Sequence, residues 1–189
     1  QLLDYVSSVN ISCGFHAGDP LVIKNALMEA KERNIVIGAH IGFDDIQGFG
    51  YRETQLSEDE IEALVIYQVG AITSFAKAYN TEIEFIRPHG AMWEMASTDL
   101  EFSKNVANSI KKYSEWFIYY AGAGEVIAQV EAETNIRTAK ELNLSLNYRK
   151  DLSIDKDCTY IYSTEKSISR LRKLLSNKVI PALQKLETE

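Results

Sequence analysis

The chain contains three histidines, and each closes an apolar run with a glycine within two residues of it. They stand in Cys13-Gly14-Phe15-His16-Ala17-Gly18-Asp19, in Ile35-Val36-Ile37-Gly38-Ala39-His40 and in Phe85-Ile86-Arg87-Pro88-His89-Gly90. The carboxyl ends of parallel strands are where α/β proteins collect ligand-binding and catalytic side chains. One histidine so placed is more often structural than chemical. The same placement three times, with no histidine elsewhere, points to a shared site of enzymatic type.

Their neighbours narrow the chemistry. Asp19 follows His16, Asp44 and Asp45 follow His40, and Arg87 precedes His89. Imidazoles with carboxylates suit two tasks, holding a divalent metal or moving protons near neutral pH. Gly14, Gly18, Gly42 and Gly90 let backbone come close to a ligand. The stretch Asp44-Asp45-Ile46-Gln47-Gly48-Phe49-Gly50-Tyr51-Arg52 is the expected substrate loop, with Arg52 for a carboxylate or phosphate; neither a Walker nor a dinucleotide spacing is present. Structural readings stand beside these. Asp19 is expected to be an N-cap, Asp44 and Asp45 are equally at home as turn residues, and Arg87 could pair with a neighbouring carboxylate. Cys13 is expected to be a buried inert thiol, Gln68 a buried hydrogen-bonding residue, and Met92 and Trp93 packing residues.

The elements that must position these residues alternate in period. Val9 to Phe15 reads as a strand, and Asp19-Pro20 opens a helix running to about Arg33, with Asn34 as its stop. Ile35 to Ala39 is apolar throughout, as in a strand buried on both faces. Ser57-Glu58-Asp59-Glu60 is a capping box for a helix reaching about Tyr79. Strands follow at Ile83–Arg87, Trp116–Tyr120, within Ile136–Leu142 and at Cys158–Tyr162. Helices are expected from Thr98 to Lys112, Gly124 to Glu133 and Glu165 to Leu186, the last interrupted near Pro181. Such a β/α series implies a parallel sheet with right-handed crossovers, and periodicity alone fits either a barrel or an open doubly wound sheet.

A chain of 189 residues fits one domain, taken here as residues 1–189. A net charge of −7 argues against a nucleic-acid surface. Arg170-Leu171-Arg172-Lys173 is too short to change that. No apolar stretch approaches the roughly 20 residues of a membrane span, and no signal-peptide pattern opens the chain. With only Cys13 and Cys158, no disulfide framework is expected, and a cytoplasmic setting is the default.

Several segments together resemble the LamB/YcsF family: Asn10-Ile-Ser-Cys-Gly-Phe-His-Ala-Gly-Asp-Pro20, Ile37-Gly-Ala-His40, Gln47-Gly-Phe-Gly50 with Arg52, Tyr67-Gln-Val-Gly-Ala71 and Pro88-His-Gly-Ala91. The resemblance implies a (β/α) barrel of about seven parallel strands, related to glycoside hydrolases and polysaccharide deacetylases. It implies hydrolysis of 5-oxo-L-proline to L-glutamate, coupled to ATP cleavage, in a complex with two further subunits. Small-molecule substrate, no nucleic acid and no membrane are the expected partners, and self-association is open. In that reading His16, His40, His89 and Asp45 are catalytic. Asp19, Arg52, Arg87, Gly14 and Gly90 bind substrate, ATP with Mg2+ is the co-substrate, and the three histidines are also candidate ligands for a divalent metal.

The sequence departs from the family in places. The family's acidic first strand and its Gly-Glu pair would precede Gln1. Ile41 stands where the family has proline, and Arg87 where it has lysine. Asp-Arg is replaced near Ser145-Leu146, and a His-Gly-Asp element is replaced between Tyr160 and Ser163. Two alternatives therefore stand beside the leading reading: a metal-dependent amidohydrolase or carbohydrate deacetylase, and a degenerate, non-catalytic binding protein.

Overall fold

Asp19 opens the first helix as the Asp-Pro pair leads one to expect. Its Oδ1 accepts from the backbone N–H groups of Leu21 (2.8 Å) and Val22 (2.9 Å), and Pro20 occupies the first helical position, where a missing N–H costs nothing. The computed structural model describes residues 2–148 and 163–177. A short 3-10 turn, Leu2–Tyr5, leads into β1 (Ser8–Ser12). Then come α1 (Pro20–Glu32), β2 (Val36–Ile41), α2 (Glu58–Ala78), β3 (Phe85–Pro88), α3 (Gly90–Thr98) and α4 (Leu100–Tyr113). β4 (Ile118–Gly122), α5 (Glu125–Thr134), β5 (Thr138–Glu141) and α6 (Thr164–Asn177) complete the described elements. The strand expected at Cys158–Tyr162 and the helical residues beyond Asn177 lie outside the described residues.

All four strand pairings are parallel, and the order is β1-β2-β3-β4-β5. That order decides between the two architectures the periodicity allows. Each crossover steps to the next strand in the same direction, so right-handed connections lay the helices on one face. A doubly wound sheet reverses direction at a switch point and covers both faces. A sequential parallel sheet is the wall of a barrel. One core forms between sheet and helices, where Ile11, Ile37, Ala39, Ile41 and Ile86 meet Leu27, Val65, Val69, Ile72 and Val106.

Register fixes the other face. Ser12 pairs with His40, and His40 with Arg87, so these three polar residues lie in one row across β1, β2 and β3. Their apolar neighbours Ile11, Ala39 and Ile86 form the adjoining row, which by strand alternation faces the helices.

The structure differs from the sequence reading in three places. β1 stops at Ser12, because Gly14 (φ 105°) and Gly18 (φ 83°) turn the chain, and a Cβ on Gly18 would stand 2.9 Å from the Ser12 carbonyl oxygen. A helix, α3, begins directly after His89, where the sequence places none before Thr98; it has no side-chain cap to announce it. Asp99 then caps α4 through the Phe102 N–H (3.0 Å). Finally, α2 is long and apolar enough to span a membrane by length and composition, contrary to expectation. It begins with Glu58, Asp59 and Glu60, and its Ile61, Val65, Val69 and Ile72 belong to the core.

Gly38 shows how tightly the strand row carrying His40 is packed. The Phe85 ring lies on it, and an added Cβ would stand 2.1 Å from Phe85 Cε2. That ring is also stacked on Tyr120 at 4.2 Å, so it has little room to yield. Gly38→Ala is therefore expected to cost about 1–3 kcal/mol by overpacking. Urea unfolding measures the loss, and Phe85→Leu in the same background should recover part of it.

Candidate active site

The three histidines meet at one end of the sheet. His16 comes from the loop after β1, His40 from the penultimate position of β2, and His89 from the residue after β3. The His16 and His89 rings are stacked at 4.1 Å with 13° between planes. His40 stands edge-on to both, at 5.4 Å from His16 and 4.8 Å from His89.

Two of the rings have their outer nitrogens committed to carbonyl oxygens. His40 Nδ1 lies 3.0 Å from Arg87 O, and His89 Nε2 lies 2.7 Å from Phe49 O. A carbonyl only accepts, so both of those nitrogens carry a hydrogen and donate it. The inner nitrogens, His40 Nε2 and His89 Nδ1, are 3.0 Å apart. In neutral rings with these tautomers, both inner nitrogens bear lone pairs. Facing each other at that distance, they form a donor pair able to take up a cation, either a proton or a metal ion.

His16 is held differently. Its Nε2 is 3.0 Å from Ser12 Oγ, while its buried Nδ1 finds no hydrogen-bond partner among the described residues. Nδ1 faces Gly42, where an added Cβ would come within 2.5 Å of it. The candidate metal-ligating nitrogens of all three rings lie within 4.8 Å of one another. The His16 and His89 rings lie in nearly parallel planes.

Burial keeps the cluster neutral. It lowers the His16 pKa to about 4, with repulsion from His89 adding to the effect. It lowers His40 to about 3, helped by the positive charge of Arg87, and it lowers His89 in the same direction. Cys13, below the cluster, is pushed up to about 12 by burial and is the inert thiol expected.

The 44–52 loop covers the stacked pair. Asp45 is its staple: Oδ1 accepts from Gly48 N (2.9 Å) and Arg52 Nε (2.8 Å), Arg52 Nη2 also donates to Oδ1, and Oδ2 accepts from Arg52 N (3.3 Å). The Arg52 hydrogen bonds hold the Asp45 carboxyl at about 2. Asp45 N donates to Phe15 O, tying this loop to the one bearing His16. Gly90, in a left-handed conformation (φ 54°), lets the Gly50 carbonyl approach and accept from Ala91 N at 2.9 Å. Phe49 and Tyr51 stand against His89, at 5.1 and 5.2 Å between ring centres.

Gln68 of α2 secures the floor. It is fully buried, its Oε1 accepts from Gly42 N (2.9 Å), and its Nε2 donates to Gly42 O (3.0 Å) and Leu64 O (3.0 Å). Every polar group of its amide is used, as a buried amide requires.

Of the residues singled out from the sequence, His16, His40, His89 and Arg87 come together. Asp45 and Arg52 engage each other in the loop, Asp19 caps α1, and Asp44 is exposed. Gly14 closes a turn through Ala17 O (2.9 Å) and Gly90 seats the Gly50 carbonyl. Sequence reasoning missed Ser12 and Glu141. Glu141 binds Arg87 through two contacts of 2.5 Å.

A sequential parallel sheet with an imidazole cluster at the carboxyl ends of its strands defines an α/β protein of barrel type with chemically equipped strand ends. The family model for the LamB/YcsF family matches residues 1–188, and the chain belongs to that family. It is 37% identical over 185 residues to a protein of Natranaerobius thermophilus named as the A subunit of 5-oxoprolinase, covering 96% of this chain and 72% of that one. It is also 37% identical over 154 residues to the protein of the same name from Geobacillus kaustophilus, covering 82% of this chain but 60% of that one. The crystal structure of a lactam utilization protein from Thermus thermophilus superposes with a TM-score of 0.85 at 31% identity, over 91% of this chain and 71% of that one.

Lowered imidazole pKa values have a consequence for stability. Between the ordinary value of 6.5 and about 4, an unfolded His16 binds a proton that the folded one does not. The same holds for His40 down to about 3. Stability is therefore expected to fall as pH drops through this window and to stop responding to these groups below it. Denaturation midpoints measured across pH should show this slope, and it should be shallower in His40→Gln.

Proposed function

We propose that this chain is the A-type component of an ATP-dependent 5-oxoprolinase, which opens 5-oxo-L-proline to L-glutamate with cleavage of ATP. The single observation that carries the reading is the gathering of three neutral imidazoles at the strand ends of a LamB/YcsF fold. Kinship to proteins named for 5-oxoprolinase and for lactam utilization supports the substrate class. The working enzyme in this proposal is a cytoplasmic complex with the B-type and C-type subunits, using ATP with Mg2+.

A five-membered lactam resists water because its amide is stabilised by resonance. Attack of the lactam oxygen on the γ-phosphorus of ATP releases ADP and leaves an activated carbon. Water then adds to that carbon, giving its proton to an imidazole lone pair. Collapse breaks the C–N bond, the nitrogen takes a proton, and a second water releases phosphate. Neutral imidazoles with committed outer N–H groups are suited to these transfers, since the inner lone pairs remain the only sites for an incoming proton. His40 and His89 act as the proton-transfer pair and His16 as the stacked wall that holds His89. Arg52, whose side chain is 65% exposed despite its contact with Asp45, has an open edge for the substrate carboxylate.

One observation favours a second reading. The facing nitrogens of His40 and His89 fit a transition-metal ion as a donor pair, which a metal-dependent amidohydrolase or deacetylase would use. When bound, the ion would supply Lewis acidity toward a carbonyl or water.

Two measurements separate the readings. Glutamate release from 5-oxoproline by the reconstituted complex should require ATP and this chain, and should fall at least about 100-fold in His40→Ala. Amide or acetyl hydrolysis without ATP, together with stoichiometric metal in the purified protein, would instead select the second reading.

A further inference from the structure

The guanidinium of Arg87 is clamped on several sides. Nε donates to Glu141 Oε2 and Nη2 to Glu141 Oε1, both at 2.5 Å, a bidentate fork between side chains only 18% and 21% exposed. The Trp93 ring lies 5.8 Å from its central carbon. Gly122, the register partner of Glu141 on β4, leaves room on this side: an added Cβ would stand 2.6 Å from Ser97 Oγ and 3.2 Å from Trp93 Cζ2. Only Nη1 is left, and it lies 3.3 Å from Pro88 O and 3.5 Å from His40 Nε2.

This arrangement changes what Arg87 is for. A guanidinium whose fork is filled by a buried carboxylate is not a free receptor for a substrate anion. It does carry an N–H fixed beside the one nitrogen of His40 that is not committed to a carbonyl. Arg87 and Glu141 come from β3 and β5, with β4 between them, so the pair also fixes where the β3 row sits relative to the far strand.

We infer that Glu141 is a positioning residue for this site: it locks Arg87 so that Nη1 is presented to His40 Nε2, reinforcing from the inner side the Nδ1–H tautomer that the bond to the Arg87 carbonyl sets and keeping the Nε2 lone pair inward. Glu141 touches neither histidine, so its effect is transmitted through Arg87. The catalytic part of the inference rests on the histidine cluster working as proposed above; the tautomer part does not.

The chain has three histidines, so 15N-labelled protein gives a histidine spectrum simple enough to assign. In the wild type, His40 should show a protonated Nδ1 and an unprotonated, hydrogen-bonded Nε2. Glu141→Ala and the milder Glu141→Gln should shift the Nε2 resonance or mix the tautomers. In the reconstituted enzyme they should lower kcat roughly tenfold or more while KM stays within about threefold. Arg87→Lys should behave similarly, because a single ammonium cannot fill the fork and reach His40 together. Thermal unfolding identifies the variants that remain folded. Unchanged His40 resonances in folded Glu141→Gln overturn the proposal, as does a shifted resonance with unchanged kcat, or a loss confined to KM. Should the wild-type complex release no glutamate, the functional reading fails while the His40 resonances still decide the tautomer role.

Discussion

The amide of Gln68, closed on both polar groups of Gly42, is the contact on which the site depends. Gly42 directly follows β2, so the clamp fixes the end of the strand that carries His40 to the buried face of α2. The same glycine offers His16 a surface without a Cβ, against which its Nδ1 rests. One residue pair thus sets the position of one histidine through the chain and of another through van der Waals contact. An apolar residue at 68 would leave a buried N–H and a buried carbonyl at Gly42 without partners, a cost that no gain in packing at that point offsets.

Around that floor the charges are paired away from the imidazoles. Asp45 takes Arg52 and Glu141 takes Arg87. Among the described residues with hydrogen-bond contacts to the three rings, none is a carboxylate. Histidines kept from carboxylates and from water lose their affinity for protons, which is the direction seen for all three. The outer N–H groups of His40 and His89 are given to backbone carbonyls instead, a contact that orients a ring without charging it, while His16 is held by the Ser12 hydroxyl. Neutrality and orientation therefore share one cause.

Much of this was legible in the sequence, and the exceptions have physical reasons. His16, His40 and His89 could be placed at strand ends because each terminates an apolar run. Asp19-Pro20 and Ser57 with Glu60 carry the chemistry of helix starts, and both act as caps. Gln68 stood out as an amide in an apolar stripe, and the structure gives it the buried hydrogen-bonding role expected of it. α3 was invisible, since its first residues, Gly90 and Ala91, follow an N-cap histidine that makes no capping bond. Glu141 was invisible for a different reason. Its strand, Thr-Ala-Lys-Glu, has no apolar signature, and its partner lies 54 residues away in sequence.

The two ion pairs explain why a resemblance in sequence is a poor guide to the role of an arginine. Arg52 and Arg87 both lie near the histidine cluster, and from the sequence either could receive an anion. Burial separates them: Arg87 is mostly enclosed with its fork filled, while Arg52 keeps most of its side chain in solvent. A buried guanidinium without its carboxylate would carry an uncompensated charge, so Arg87 cannot release Glu141 to greet a substrate at little cost. Arg52 also holds a buried carboxylate, Asp45 being only 5% exposed, but its own side chain is 65% exposed and so keeps an edge in solvent without releasing that pair. The arginine with a solvent-facing edge is the one on the loop, and the one enclosed in the sheet lies against His40.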